Sequence, residues 1–170
     1  MGDFWQWAYS DVLSNRNRSI FAEFIVGTAL GAVDSPRVEW DAFDLRYDGL
    51  KIEVKSSAYC QSWPQRKPST IQFSIRKAVF WNNETATYEG NSTRSADVYV
   101  FCVHTEREKL KVNVLDLSAW DFYVLSTEVI DKDYGEAKSL SLATVNRLAL
   151  LCKFDGLKAT VDRLVKLPTT

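Results

Sequence analysis

Asp44, Glu53 and Lys55 are the residues of this 170-residue chain whose types and spacing best support chemistry. They flank Asp48-Gly49, the dipeptide that most strongly signals a two-residue hairpin turn. With the turn placed there, Tyr47 faces Leu50, Arg46 faces Lys51, Leu45 faces Ile52 and Asp44 faces Glu53. Side chains alternate across a strand, so Phe43, Leu45, Tyr47, Leu50, Ile52 and Val54 share one wholly apolar face. Asp44, Arg46, Lys51, Glu53 and Lys55 share the other. A one-residue slip would bury the charges, so this division supports the register.

The register sets two carboxylates directly opposite each other, with Cβ atoms about 5 Å apart. Like charges there repel unless a cation or a shared proton offsets them. Two carboxylates from neighbouring strands, with positions left for water and phosphate oxygens, form a donor set that Mg²⁺ accepts. Lys55 lies one pleat beyond Glu53 on the same face, within reach of an activated water or of charge developing on phosphorus. Glu23 adds a further acid, the only ionisable residue from Ile20 to Val33. A lone carboxylate in a buried helix is costly unless it is paired or binds a metal. Glu23 therefore either points at the same cluster or pairs with an arginine such as Arg16 or Arg37. Asp41 is the alternative strand-start acid, but it faces the opposite way in this register, and Asp44 is preferred.

The elements that must hold these groups are partly readable. Ser14 to Gly31 reads as a largely buried helix, with Asn17 or Ser19 as N-cap and Gly31 as the stop. The hairpin follows, with strands 42–47 and 50–56. Residues 60–69 read as a loop, and 70–76 as a third strand from the alternation of Ile71, Phe73 and Ile75 with polar residues. Residues 82–95 are polar and are expected to form a mobile loop. Residues 96–104 form a nearly continuous apolar run, as in a central strand covered on both faces. A further strand is expected at 111–115, then a short helical turn after Ser118. Two helices are expected at 141–151 and 157–167. Helix, hairpin, strands and then helices make a mixed α/β layer fold in a single domain over residues 1–170.

The helical Glu23, Asp44 at a strand start and the run Glu53-Val54-Lys55 together resemble the PD-(D/E)XK, or restriction-endonuclease-like, nuclease superfamily. The likeness covers roughly residues 14–104, in the order helix, hairpin, strand, strand. Phe43 stands where the motif's name has Pro, at a position that varies widely in the superfamily. The resemblance implies a central mixed β-sheet flanked by helices and Mg²⁺-dependent hydrolysis of phosphodiester bonds, with Mn²⁺ able to substitute. It makes Asp44, Glu53 and the Val54 carbonyl metal ligands, sets Lys55 near the attacking water, and leaves Glu23 to complete the site. It also implies DNA as substrate, in restriction, repair or phage defence, and by analogy a homodimer.

For nucleic-acid contact the expected residues are Arg16, Arg18, Arg66, Lys67, Arg76 and Lys77, with Ser57 and Gln61 following the motif lysine. Tyr59 and Trp63 stand beside them and could stack on bases. Lys plus Arg number 21 against 22 Asp plus Glu, so any polyanion site is local rather than a global basic field. The rival reading is a catalytically silent domain of the same fold that binds nucleic acid or a protein.

The remaining composition narrows the function classes. One histidine, His104, excludes zinc sites built from several His, and its place at the end of an apolar run suggests a structural role. Three widely spaced cysteines (Cys60, Cys102 and Cys152) give no metal clip or disulfide framework, and a cytoplasmic location is expected. The first residues lack the basic start of a signal peptide, and no run suits a membrane span. No G-x-S-x-G or H-E-x-x-H motif supports an unrelated hydrolase.

Overall fold

A computed structural model describes residues 1–39, 42–82 and 87–166. The chain opens with a short surface helix, α1 (Gly2–Tyr9), which the sequence reading did not anticipate. The long helix α2 (Asn15–Leu30) follows. Its N-cap is Ser14, whose Oγ accepts the Asn17 N–H at 3.3 Å. Asn17 instead donates its side-chain amide to Asp11 O, so neither Asn17 nor Ser19 is the cap. Gly31 ends the helix in the left-handed region at φ 71°, as expected of a C-terminal glycine. Only one side of α2 is interior: Ala22, Ile25, Val26 and Leu30 are buried, whereas Phe24 is exposed.

Strands β1 (Leu45–Tyr47) and β2 (Leu50–Ala58) form the expected hairpin. Asp48 and Gly49 take φ 48° and 83°, the paired positive values of a turn whose twist suits a hairpin. The ladder pairs Tyr47 with Leu50, Arg46 with Lys51 and Leu45 with Ile52. Next come β3 (Gln72–Ser74), β4 (Ala78–Asn82), β5 (Thr87–Thr93) and β6 (Val98–His104). Then β7 (Trp120–Ser126), α3 (Thr127–Tyr134), β8 (Ser139–Ser141), α4 (Leu142–Leu148), β9 (Leu150–Cys152) and α5 (Leu157–Lys166) complete the chain.

The central sheet runs β1-β2-β6-β7-β9 and is mixed: β2 and β6 are parallel, and the other neighbours are antiparallel. All seven residues of β6 are buried, because both faces of the sheet are covered. On one face Ile52, Val54, Val100, Cys102 and Phe122 pack with α2 and with Leu157 and Val161 of α5. On the other, Tyr99, Phe101, Tyr123 and Leu125 pack with Ile71, Phe73 and Ile75, Ile130 of α3 and Val145 of α4. The protein is thus an α/β fold with a mixed five-stranded sheet between helical layers. Among the described residues no helix is long and apolar enough to cross a membrane.

Several expectations are corrected. The 70–76 alternation is real, with Ile71, Phe73 and Ile75 inside, but β3 pairs with β8 in a separate small sheet. Residues 82–95 contain β5, which pairs with β4 as a two-stranded ribbon; residues 83–86 lie outside the described part. Residues 111–115 are not a strand. Their carbonyls serve buried side chains instead: Asn113 O meets His104 Nε2 at 3.1 Å, and Val114 O accepts from Trp120 Nε1 at 2.9 Å. His104 is fully buried, edge-on to Trp120, and burial lowers its pKa; its role is structural. The expected helix 141–151 ends at Leu148, and β9 closes the open edge of β7.

Candidate active site

The strand β1 stops one residue short of the acid that was expected to lie on it. Asp44 N–H bonds to Ile52 O at 3.0 Å, and its Oδ2 accepts the Val54 N–H at 2.7 Å. In an unbroken ladder Val54 would donate to the Phe43 carbonyl, so the Asp44 carboxylate has taken the place of a backbone acceptor. Asp44 is therefore not the direct cross-strand partner of Glu53; it caps the edge of β2 beside it. The Val54 carbonyl faces the same edge, because the N–H and C=O of one strand residue point the same way.

Glu53 and Lys55 lie on one face of β2, as alternation requires, and form an ion pair with each other. Both are half-buried. On the opposite side of this edge, α2 brings up Glu23, which is only 7% exposed. Its carboxylate is held by Arg37 in a two-pronged pair, Nε to Oε2 and Nη2 to Oε1 at 3.1 Å. Glu23 thus takes the arginine partner, and it also stands near enough to Asp44 to repel it. Close approach of α2 depends on Gly27, where a Cβ would come 2.6 Å from Val33 Cγ1 and 3.3 Å from Leu45 Cδ2. On the same face the hairpin is also fixed by Tyr47, whose hydroxyl donates to Asp162 Oδ1 on α5 at 2.8 Å.

Asp44 carries the electrostatic signature of this arrangement. Burial, then the neighbouring charges of Glu53 and Glu23, push its pKa up to about 7, against the opposing pull of the Val54 N–H and Lys55. Asp44, Glu23 and Arg37 line an open cleft of about 410 Å³. Among the described residues no group of three His, Cys, Asp or Glu could enclose a metal ion. The groups that could hold a cation at this strand edge are the Asp44 and Glu53 carboxylates and the Val54 carbonyl. Those are hard oxygen ligands, and the Asp44 carboxylate is partly buried with the Glu53 and Glu23 charges near it. The set therefore suits a divalent cation that keeps several of its positions for water and substrate. Asp41, the alternative acid, lies outside the described residues.

The residues expected to contact nucleic acid are dispersed. Arg18 is buried, bonded to Leu13 O, Gln61 Oε1 and Asn15 Oδ1, and desolvation lowers its pKa to about 10. Gln61 is buried too, with its amide on Ala58 O and Ser69 Oγ. This pair ties α2 to the loop after β2. Lys77 pairs with Glu136 at 2.8 Å. Arg16, Arg66, Lys67 and Arg76 are exposed, with Arg16 over the Tyr9 ring. Ser57 is half-buried on the face of Glu53 and Lys55. Three residues near the acids were not singled out from sequence: Phe43, Arg46 and Lys51. The like-charged Arg46–Lys51 pair was already implicit in the hairpin register.

A family model described as Bacteriophage T4 endonuclease IV matches residues 6–144. That span runs from α1 into α4 and contains Glu23, Asp44, Glu53 and Lys55, leaving out β9 and α5. None of the curated proteins matches the chain. The match covers most of the sequence, and the chain belongs to the bacteriophage T4 endonuclease IV family.

Proposed function

We propose that the protein is a Mg²⁺-dependent endonuclease that hydrolyses phosphodiester bonds in DNA, on a core of the restriction-endonuclease-like, PD-(D/E)XK type. The observation that carries this reading is Asp44, a carboxylate turned onto the Val54 N–H beside Glu53, with its own pKa raised by burial and then by the charges of Glu53 and Glu23. The family's name, an endonuclease, supplies the reaction class and a nucleic-acid substrate.

Asp44, Glu53 and the Val54 carbonyl would hold Mg²⁺, or Mn²⁺ in its place. When bound there, the cation supplies neutralisation of phosphodiester charge and a more acidic water. The protein's own groups do the rest. Asp44 must give up its proton before it can serve as a ligand, which ties activity to the ionisation near pH 7. The Lys55 ammonium, now resting on Glu53, faces the place where negative charge develops on phosphorus. The Glu23–Arg37 pair ties α2 to the segment that follows it in the chain, ahead of Asp44. Restriction, repair and phage defence are all compatible biological settings. A homodimer would let two such sites cut both strands. The unpaired cysteines suit a cytoplasmic protein.

Incubation of plasmid and single-stranded DNA with and without Mn²⁺ tests the reading. Cation-dependent cleavage by wild type is expected, with loss of at least about a hundredfold in Asp44→Ala, Glu53→Ala and Lys55→Ala. Full cleavage by any of the three would refute the assignment.

A silent nucleic-acid- or protein-binding domain is the second reading. It is favoured by the internal pairing of Glu53 with Lys55 and of Glu23 with Arg37, which leaves the acids partly neutralised without metal. Absence of Mn²⁺ binding at millimolar concentration would select it.

A further inference from the structure

The hairpin carries a second charged cluster beside the acids. Arg46 and Lys51 are direct ladder partners, and like charges in that position weaken a strand pair. Among the described residues neither is in an ion pair with a carboxylate. The nearby Asp97 carboxylate accepts the backbone N–H of Lys51. Both cations gather around one ring. The Arg46 guanidinium carbon lies 4.9 Å from the centroid of Phe43, and the Lys51 Nζ lies 6.0 Å from it.

Phe43, Arg46 and Lys51 line a cleft of about 610 Å³ whose other wall is Thr93, Arg94 and Ser95 at the end of β5. Arg94 is committed to the interior, bonded to Ile75 O, Asp131 and three carbonyls at the end of α3 and just after it. Arg46 and Lys51 are thus the cations this cleft offers to a ligand. Phe43 and Arg46 also line the cleft that holds Asp44, so the two openings share a wall. Residues on the same face of a strand are about 7 Å apart, a step of the size that separates neighbouring phosphates along one nucleic-acid strand. A polyanion seated at Asp44 and Glu53 would meet Arg46 and Lys51 next.

We propose that Phe43, Arg46 and Lys51 form a backbone subsite that holds a DNA phosphodiester neighbouring the one placed at Asp44 and Glu53. The two cations take the phosphate oxygens, and the ring edge packs on the adjoining sugar or base. The subsite rests on the nuclease reading for its register, but its binding can be measured without cleavage.

The test is the affinity for a fluorescein-labelled DNA oligonucleotide, single-stranded and duplex, in EDTA over a range of salt. Arg46→Gln/Lys51→Gln should weaken binding and flatten the slope of log K against log salt by about 1.4–1.8, for two lost contacts. The charge-keeping variant Arg46→Lys/Lys51→Arg should retain the wild-type slope. Should the double variant prove unfolded by circular dichroism, Arg46→Gln alone, at an exposed position, should remove about 0.7–0.9 of slope. An unchanged slope in these folded neutral variants, or no DNA binding by wild type, overturns the subsite. Mn²⁺-dependent cleavage is scored apart. Cleavage by wild type with an unchanged slope in the variants rejects the subsite and leaves the nuclease reading standing. A flattened slope without cleavage under any cation supports the backbone contact and removes the cleavage assignment.

Discussion

Asp44 is held as a proton acceptor stronger than an ordinary aspartate, and this has a consequence for stability. Its folded pKa of about 7 lies above the unfolded value, so the native state binds the extra proton between roughly pH 4 and pH 7. Stability contributed by that proton is present at low pH and is lost as pH rises through 7. Asp44→Asn should therefore stabilise the cation-free protein at pH 8 by about 1–3 kcal/mol, and by much less near pH 4. Urea denaturation of both proteins at the two pH values reads this out, and a difference independent of pH would contradict the assigned cause. At this scale the pairing of Glu53 with Lys55 was legible, because strand alternation puts both on one face of β2. The turn of Asp44 onto the Val54 N–H was not, since it depends on β1 stopping at Leu45. For Glu23 the sequence left two partners open, and folding brings Arg37 to it from beyond the helix end.

The hairpin is the element on which the site depends, and its turn is the most exacting part of it. Gly49 sits at φ 83°, where a Cβ is strained, so Gly49→Ala should cost about 1 kcal/mol in thermal unfolding and loosen the acids. The ribbon of β4 and β5 depends on a different anchor. Its exit residue Arg94 has a fully buried side chain and satisfies four backbone carbonyls. Arg94→Ala would orphan them and should destabilise the protein by about 3 kcal/mol or more; Arg94→Lys, lacking the planar fork, should rescue little. An Arg94→Lys variant as stable as wild type would show that the fork is dispensable. The hairpin was readable because turn chemistry, alternation and charge segregation agree. The ribbon was not, because its sequence is polar and reads as loop. β9 was missed because Leu150–Cys152 is a short apolar run that suits helix or strand equally, and only the open edge of β7 decides it.

At the scale of the molecule, the central sheet brings two layers to one edge. α2 packs on one face and delivers Glu23, while Glu53 and Lys55 look out from the other, and Asp44 lies at the edge between them. A near-zero net charge is compatible with a polyanionic substrate where charge is locally segregated, as it is for the cross-strand pair Arg46 and Lys51 on the hairpin. A central strand covered on both faces was legible from the apolar run of β6, and the mixed sheet flanked by helices was implied by the resemblance, whereas the separate β3–β8 sheet arises from pairings far apart in sequence. The central claim is that the edge at Asp44 and Glu53 binds a divalent cation. Calorimetric titration of Mn²⁺ into wild type and Asp44→Asn tests it most directly. The expected result is one site in wild type at pH 8, weakening towards tenfold per unit as pH falls below about 7, and absent in Asp44→Asn. Equal Mn²⁺ binding by the two proteins, or none by wild type, would contradict it.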